Sequence, residues 1–238
     1  MNERIRYGDT PLHTAARWCS AVIPVLVERG ADINARAAGD RTPLHWAAEL
    51  LPSVRALIRA GADVQARDRD GKTPLFQATT ALGTLNAMIA AGADVTARDA
   101  RGRTALHFAA RSWTARPKAV DPLIRAGADV DARDEDGRTP LHFAVDTPKR
   151  GREMTTALIE AGATVDAPDA QGQTPLHLAS WFGIEPVAPV LLLAGADLWA
   201  KDGTGRTPLE YALDTGKMLE EAEAERQCLL EEVDEVRG

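Results

Sequence analysis

An all-α solenoid of stacked helix–loop–helix units is the fold class this sequence predicts, and three recurrences predict it. A Thr followed two residues later by Leu recurs at Thr10, Thr42, Thr73, Thr104, Thr139, Thr174 and Thr207, six times as Thr-Pro-Leu and once as Thr104-Ala105-Leu106. A Gly-Ala pair recurs at Gly30, Gly61, Gly92, Gly127, Gly162 and Gly195. Each Gly precedes the next Thr by 12 residues, whereas each Thr precedes the next Gly by 20, 19, 19, 23, 23 and 21. Self-similarity with a period of about 33 residues is the signature of a repeat array. The piece of constant length sets the stacking geometry. The piece of variable length absorbs insertions, so it holds a loop.

Each part of the unit has a local physical reason. Thr as N-cap, with Pro at the first helical position where its missing N–H costs nothing, is a helix start. Thr207-Pro208-Leu209-Glu210 adds a capping box, with Glu three residues after the cap. The small pairs that follow, Ala15-Ala16, Ala47-Ala48 and Ala109-Ala110, let that helix approach its neighbours closely. A second apolar stretch, such as Leu57-Ile58-Arg59-Ala60, ends on a Gly placed as a helix C-cap. The 12-residue connector then carries a turn signal, Asp68-Arg69-Asp70-Gly71 or Asp134-Glu135-Asp136-Gly137.

The pattern of Thr-Pro-Leu-His with Gly-Ala-Asp-Val at this spacing resembles the ankyrin-repeat family over roughly residues 7–216. That resemblance implies two layers of antiparallel helices with β-hairpin-like fingers, the fingers and first helices lining a concave groove. Six full repeats plus a C-terminal capping repeat are expected, starting near residues 8, 40, 71, 102, 137, 172 and 205 within a repeat domain of residues 1–216. Residues 217–238 are expected to form an acidic capping helix with apolar positions at Met218, Leu219, Ala222, Leu229, Leu230 and Val233. Terminal repeats need a polar outer face, and the first unit begins so early that little room remains for a separate N-terminal cap. Two units run long, around Trp113–Pro117 and Pro148–Gly151, and these loops should join first to second helices. Pro24, Pro122 and Pro189 fall inside expected second helices, so those helices should start late or bend. The first finger, Arg36-Ala37-Ala38-Gly39-Asp40, lacks the usual Asp and turn Gly.

Charge and composition exclude several functions. Of the net charge of −7, residues 217–238 carry −5 (three cations against eight acids), leaving −2 for the rest. The basic footprint of a phosphate-backbone binder is missing, so no nucleic acid is expected. No apolar run approaches the roughly 18 residues of a membrane helix, and no secretory signal is visible. Cys19 and Cys228 lie too far apart in sequence to suggest a disulfide framework. A cytoplasmic monomer is expected, and the Ala, Arg, Asp and Gly richness suggests a bacterial gene.

No constellation for catalysis or cofactor binding emerges. His13, His45, His107, His142 and His177 all occupy the same slot after Leu, one per unit. Stacked units separate such slots by roughly 10 Å, far beyond the ~2 Å reach of a shared zinc. These histidines are expected to be structural, bonding at helix starts and between units. Asp32, Asp63, Asp94, Asp129 and Asp197 form a second column, expected to bond finger backbone. Arg36, Arg67, Arg98, Arg133 and Lys201 form a basic column, expected to be neutralised by the Asp that follows each of the last four. No phosphate loop, nucleophile elbow or dinucleotide fingerprint occurs. The chain is not expected to be an enzyme.

The resemblance implies that partner contacts come from the turn residues of the finger, the residue before each Thr and the two residues after each small pair. Applied here, that implies Arg17, Trp18, Arg41, Lys72, Arg103, Arg111, Arg138, Asp146, Trp181 and Phe182. Trp and Arg are enriched at interface hot spots, which singles out Trp18 and Trp181-Phe182 as anchors. Trp46, Phe108 and Phe143 share the slot after His and are assigned to helix packing. The expected function is a scaffold that binds a partner protein in the groove, as adaptor or inhibitor. The alternative is a regulatory ankyrin module of an enzyme or of a toxin/immunity-type system.

Overall fold

Every Thr of the recurring start opens a helix. The structure, a computed structural model, describes residues 8–111, 117–146, 151–183 and 187–214. The acidic helix expected at 217–238, Cys228 and the insertions at 112–116 and 147–150 lie outside the described residues. Among the described residues there are helices and turns and no strand. The chain divides into two compact units between Asp129 and Val130.

In the first unit, helices α1 (Pro11–Trp18), α3 (Pro43–Ala47), α5 (Pro74–Ala78) and α7 (Ala105–Arg111) form one row. Helices α2 (Ile23–Glu28), α4 (Leu51–Arg59), α6 (Leu82–Ala90) and α8 (Val120–Arg125) form the other. α1 packs on α2, α3 and α4, α4 on α6, α5 on α6 and α7, and α7 on α8. The second unit repeats the plan. α9 (Pro140–Ala144) packs on α10 (Gly151–Glu160) and α11 (Pro175–Phe182), and α11 packs on α12 (Ala188–Leu193) and α13 (Pro208–Asp214).

Helices of five to ten residues are too short to persist alone, so packing holds them. The Leu of the first six starts supplies the inner core: Leu12, Leu44, Leu75, Leu106, Leu141 and Leu176 are fully buried. Burying each contributes roughly 1.5–3 kcal/mol. The small pairs behind them, Ala15-Ala16 to Ala109-Ala110, are buried too and allow the close approach their size predicts. Ile23, Val54, Leu57, Leu85, Met88 and Leu123 fill the seam beneath the second row, and Met154, Leu158 and Leu191 do so in the second unit.

The prolines act as the sequence predicts. Pro24 and Pro189 sit in the first turns of α2 and α12, and Pro122 sits near the start of α8. These helices have six residues, against nine or ten in α4, α6 and α10. Short 3₁₀ turns, Ser20–Val22 and Pro117–Ala119, fill the space before α2 and α8. Among the first helices α3 and α5 have five residues where α1 has eight, and α9 also has five although its unit is one of the long ones.

The fingers are tight two-bond hairpins. Asp68 N–H donates to the Lys72 carbonyl and Gly71 N–H to the Asp68 carbonyl, each at 2.9 Å. Gly71 takes φ +77° to allow this. The first finger lacks that Gly, and Asp40 itself adopts φ +58°, a left-handed conformation that few side chains tolerate.

Candidate functional site

Three recurring backbone-directed clamps, two between neighbouring repeats and one within each finger, leave a defined set of side chains outside. The first clamp is the histidine. In the first repeat, His13 Nδ1 accepts the Thr10 N–H at 3.2 Å and meets Thr10 Oγ1 at 2.9 Å, while Nε2 lies 3.0 Å from the Arg41 carbonyl of the next repeat. His45 reaches Lys72, His142 reaches Gln173 and His177 reaches Arg206 in the same way. A carbonyl only accepts, so Nε2 carries the proton and Nδ1 is bare. Burial then pushes the His45 imidazole below its usual range, against the opposing pull of the Lys72 carbonyl. Burial likewise pushes His142 down to about 4. The His45 and His142 rings are neutral structural pins. Among the described residues no cluster of His, Cys, Asp or Glu could hold a metal.

The second clamp is the aspartate that follows Arg67, Arg98, Arg133 and Lys201 directly and recurs after Pro168. Asp68 Oδ1 accepts the N–H groups of Asp70 and Lys72, and Asp99 does the same for Arg101 and Arg103. Asp134, Asp169 and Asp202 repeat the arrangement in the second unit. The column of Asp32, Asp63, Asp94 and Asp197 each accepts the N–H two residues on, as expected.

The third clamp corrects the sequence reading of the basic column. Arg36 Nη1 donates to the Asp40 carbonyl of its own finger and, at 2.7 Å, to the Arg67 carbonyl of the next. Arg67 reaches Arg98, and Arg133 reaches Pro168. These guanidinium groups strap finger to finger through backbone oxygens. Arg36 is followed by Ala37, and the Asp68 carboxylate beside Arg67 is turned into its own finger.

Outside these clamps lie the ten residues implied as partner contacts, which fall into three groups. Arg17, Trp18 and Arg41 come together at one open depression of about 420 Å³, shared with Trp46, Glu49 and Leu50. Trp18 is 75% exposed. The Arg17 guanidinium lies over both indoles, 5.1 Å from the Trp18 ring centre and 5.3 Å from that of Trp46. Arg41 Nε stands 3.6 Å from the buried Asp68 carboxylate.

Lys72 and Arg103 form the second group and are largely committed internally. Arg103 makes a two-pronged pair with Asp99 at 3.0 and 2.8 Å, and Lys72 pairs with Asp70 at 3.0 Å. Both cations also lie about 5 Å from the Phe108 ring centre. Their side chains are only 18% and 14% exposed. Arg111 ends α7 on the surface.

The third group is in the second unit. Trp181 and Phe182 end α11 and are 53% and 43% exposed. Trp181 meets the Tyr211 ring edge-on at 5.7 Å. Tyr211 is pinned by its hydroxyl, which donates to Asp202 Oδ2 at 2.7 Å, and Arg206 lies 4.0 Å from its ring centre. Burial pushes the Asp202 carboxyl up. Bonds from Thr204, Tyr211 and the Arg206 N–H outweigh that and hold it below the usual carboxylate range. Arg138 Nε bonds Asp169 at 3.4 Å, and Asp146 is exposed.

Trp46 and Tyr211 were not among the implied contacts. They share the slot after His with Phe108 and Phe143, and that periodicity was the signal. The slot is half-buried rather than buried at Trp46, Phe108 and Phe143, so these rings back the exposed cations and aromatics as well as packing helices.

Comparison with known proteins agrees with this geometry. Models of the ankyrin repeat match residues 7–38 and 39–69, and models of three consecutive ankyrin repeats match residues 80–169 and 106–202. An ankyrin repeat protein of Fowlpox virus (strain NVSL) is 48% identical over 48 residues, 19% of this chain and 9% of that protein. The chain thus aligns with only a small part of that viral relative. The crystal structure of the ankyrin repeat domain of Bcl-3, a member of the IkappaB protein family, superposes with a TM-score of 0.71 at 33% identity. The match covers 87% of this chain and 95% of that domain.

Proposed function

Because this chain belongs to the ankyrin-repeat family, we propose that it is a non-catalytic protein-interaction module, an adaptor or inhibitor that holds a partner protein. Ankyrin repeats are in general protein-binding modules. The contact surface in this reading is the groove side of each unit, where the last residues of the first helices meet the finger turns. A monomer in the cytoplasm is part of the same proposal. Among the described residues no helix is long and apolar enough to cross a membrane.

The observation that carries this reading is the exposure of Trp18, Trp181 and Phe182. They end α1 and α11 just after pairs whose members are buried, Ala15-Ala16 and Ala179-Ser180. The framework demands small residues at the pair and nothing large after it. An exposed indole costs solubility and adds no core, whereas Trp and Arg dominate binding energy at interfaces. Three large aromatics at the two positions that follow the small pairs fit a surface that is covered by a partner.

The test is capture of partners by crosslinking with the full chain, followed by affinity measurement with Trp18→Ala, and with Trp181→Ala combined with Phe182→Ala. A loss of tenfold or more in either supports the reading. Unchanged affinity in both removes these helix ends from the contact surface.

A further inference from the structure

The depression at the end of α1 has the chemistry to select one class of partner segment. Arg17 is held against two aromatic faces, Trp18 and Trp46. Stacking of a guanidinium engages its flat faces and leaves its N–H donors, which lie in its plane, available for a carboxylate. Among the described residues Arg17 has no acidic partner. A second donor of the same depression is also unmatched: Trp46 Nε1 is buried and has no acceptor.

Charge around the depression is uneven. Arg17 and Arg41 stand against Glu49 alone on the lining. Asp68, which lies near Arg41, is buried and already accepts two backbone N–H groups. Apolar surface is exposed alongside, at Trp18 and at Leu50, which is 40% exposed. His45, also on the lining, is held neutral by burial.

We propose that this depression binds an acidic peptide segment of the partner, with a Glu or Asp carboxylate in the plane of the Arg17 guanidinium and an adjacent aliphatic or aromatic side chain against Trp18 and Leu50. The inference rests on the protein-binding reading above and names the chemistry of what is bound. Arg17 is the specificity element and Trp18 the apolar wall. A carboxylate paired in two-pronged fashion with a stacked guanidinium is geometrically defined, so Gln in its place is rejected. Arg17, the cation of the depression with no acidic partner among the described residues, repels basic segments.

The test is selection of binders from a phage-displayed library of random dodecapeptides against the full chain. The recovered peptides are then synthesised, labelled with fluorescein and titrated by anisotropy. The expected result is peptides with Asp or Glu next to an aliphatic or aromatic residue. Their Kd should rise at least tenfold in Arg17→Gln and in Trp18→Ala, and more in Arg17→Glu. Because both side chains are exposed, circular dichroism and thermal midpoint should match the parent, and Trp18→Phe should retain most of the affinity. Peptides without acidic enrichment, or a Kd within twofold of the parent in Arg17→Gln, overturn the inference. If binding is lost on substitution of Lys72 or Arg111 but not of Arg17, this inference falls and the protein-binding reading stands. If no peptide is recovered, this inference falls and the protein-binding reading is decided by the crosslinking capture above. A labelled oligothymidylate that binds more tightly than the peptides and is lost in Arg17→Gln also overturns the assignment, by placing a nucleic acid at the depression.

Discussion

His142 Nε2 lies 3.1 Å from the backbone carbonyl of Gln173, a residue of the next repeat, while its Nδ1 accepts the Thr139 N–H at 3.1 Å. Protonating Nδ1 would set one donor against another in a buried site. The folded-state value of about 4 lies below the ordinary 6.5, so between these pH values the unfolded chain binds more protons. Stability therefore rises with pH across this window, is fully present above about 6.5, and is lost as pH falls toward 4. At about 1.4 kcal/mol per unit the loss at His142 approaches 3 kcal/mol. His45 is lowered by the same cause and adds in the same direction. Urea midpoints measured from pH 7 to pH 4 should fall. The fall should be smaller by about 2–3 kcal/mol in His142→Gln, which cannot titrate. An equal fall in both proteins would refute the assignment.

The third repeat departs from this arrangement. Phe76 occupies the histidine slot, fully buried, with its ring edge-on to Phe108 at 5.1 Å. With no imidazole to meet it, Thr73 Oγ1 is buried without a partner. Leaving a buried hydroxyl unsatisfied costs roughly 1–3 kcal/mol, and replacing it with an apolar group of the same shape removes that cost. Thr73 is extended, at φ −90° and ψ 164°, a conformation β-branched residues favour. Thr73→Val should therefore be neutral or stabilising by up to about 1 kcal/mol. Thr139→Val, which takes the hydroxyl away from His142 Nδ1, should cost about 1–2 kcal/mol. Equilibrium denaturation of the two variants gives the comparison. A similar loss in both would mean that Thr73 Oγ1 is satisfied in solution.

Asp40 in the first finger stands where the other fingers place Gly, and its φ of +58° is the one positive value of a non-Gly residue among the described residues. Its side chain contributes little: the ion pair with Arg69 is long, at 3.9 Å, and exposed on both sides. Asp40→Gly should stabilise by about 0.5 kcal/mol, the relief of left-handed strain exceeding the added chain entropy. Asp40→Ala, with a Cβ and no polar group to bond locally, should cost about 1 kcal/mol. Calorimetry should separate the two by several tenths of a kcal/mol at least. The reverse order would place this finger in another conformation.

How much was legible in the sequence depended on whether a residue answers to its own unit or to the next one. Thr-Pro starts, C-cap Gly and the Asp column serve bonds within a few residues, so spacing and local chemistry identified them. Late starts at Pro24, Pro122 and Pro189 follow from proline's missing N–H, another local cause. Arg36, Arg67 and Arg133 could not be read that way, because their acceptors lie about a repeat downstream, on backbone with no sequence signature. A neighbouring Asp suggested a counter-ion that geometry gives to the finger instead. The groove positions came from the family pattern, but the pattern could not tell Arg17, which has no acid partner among the described residues, from Arg103, which is locked to Asp99. That distinction lives in side-chain packing against Trp46 and Phe108, a slot the sequence assigns to the core.

Gly172 and Gly162 show how two glycines with similar backbone angles carry different constraints. Both have positive φ, +76° and +92°. A Cβ on Gly162 would meet nothing within 4 Å, so Gly162→Ala should cost only the left-handed strain, about 1–2 kcal/mol. A Cβ on Gly172 would lie 2.7 Å from the Gly203 backbone nitrogen and 3.2 Å from the Asp202 carbonyl carbon. Neither atom can swing aside as a side chain could. Gly203 N–H donates to the Gln171 carbonyl at 2.8 Å, the bond that joins these two fingers. Gly172→Ala must push the fingers apart and weaken that bond, adding roughly 1–3 kcal/mol of overpacking to the strain. The expected loss is about 3 kcal/mol or more, at least 1 kcal/mol beyond that of Gly162→Ala. Amide hydrogen exchange gives the decisive reading: the Gly203 amide should lose protection in Gly172→Ala and keep it in Gly162→Ala. Retained protection in both would mean that the fingers are not in contact there.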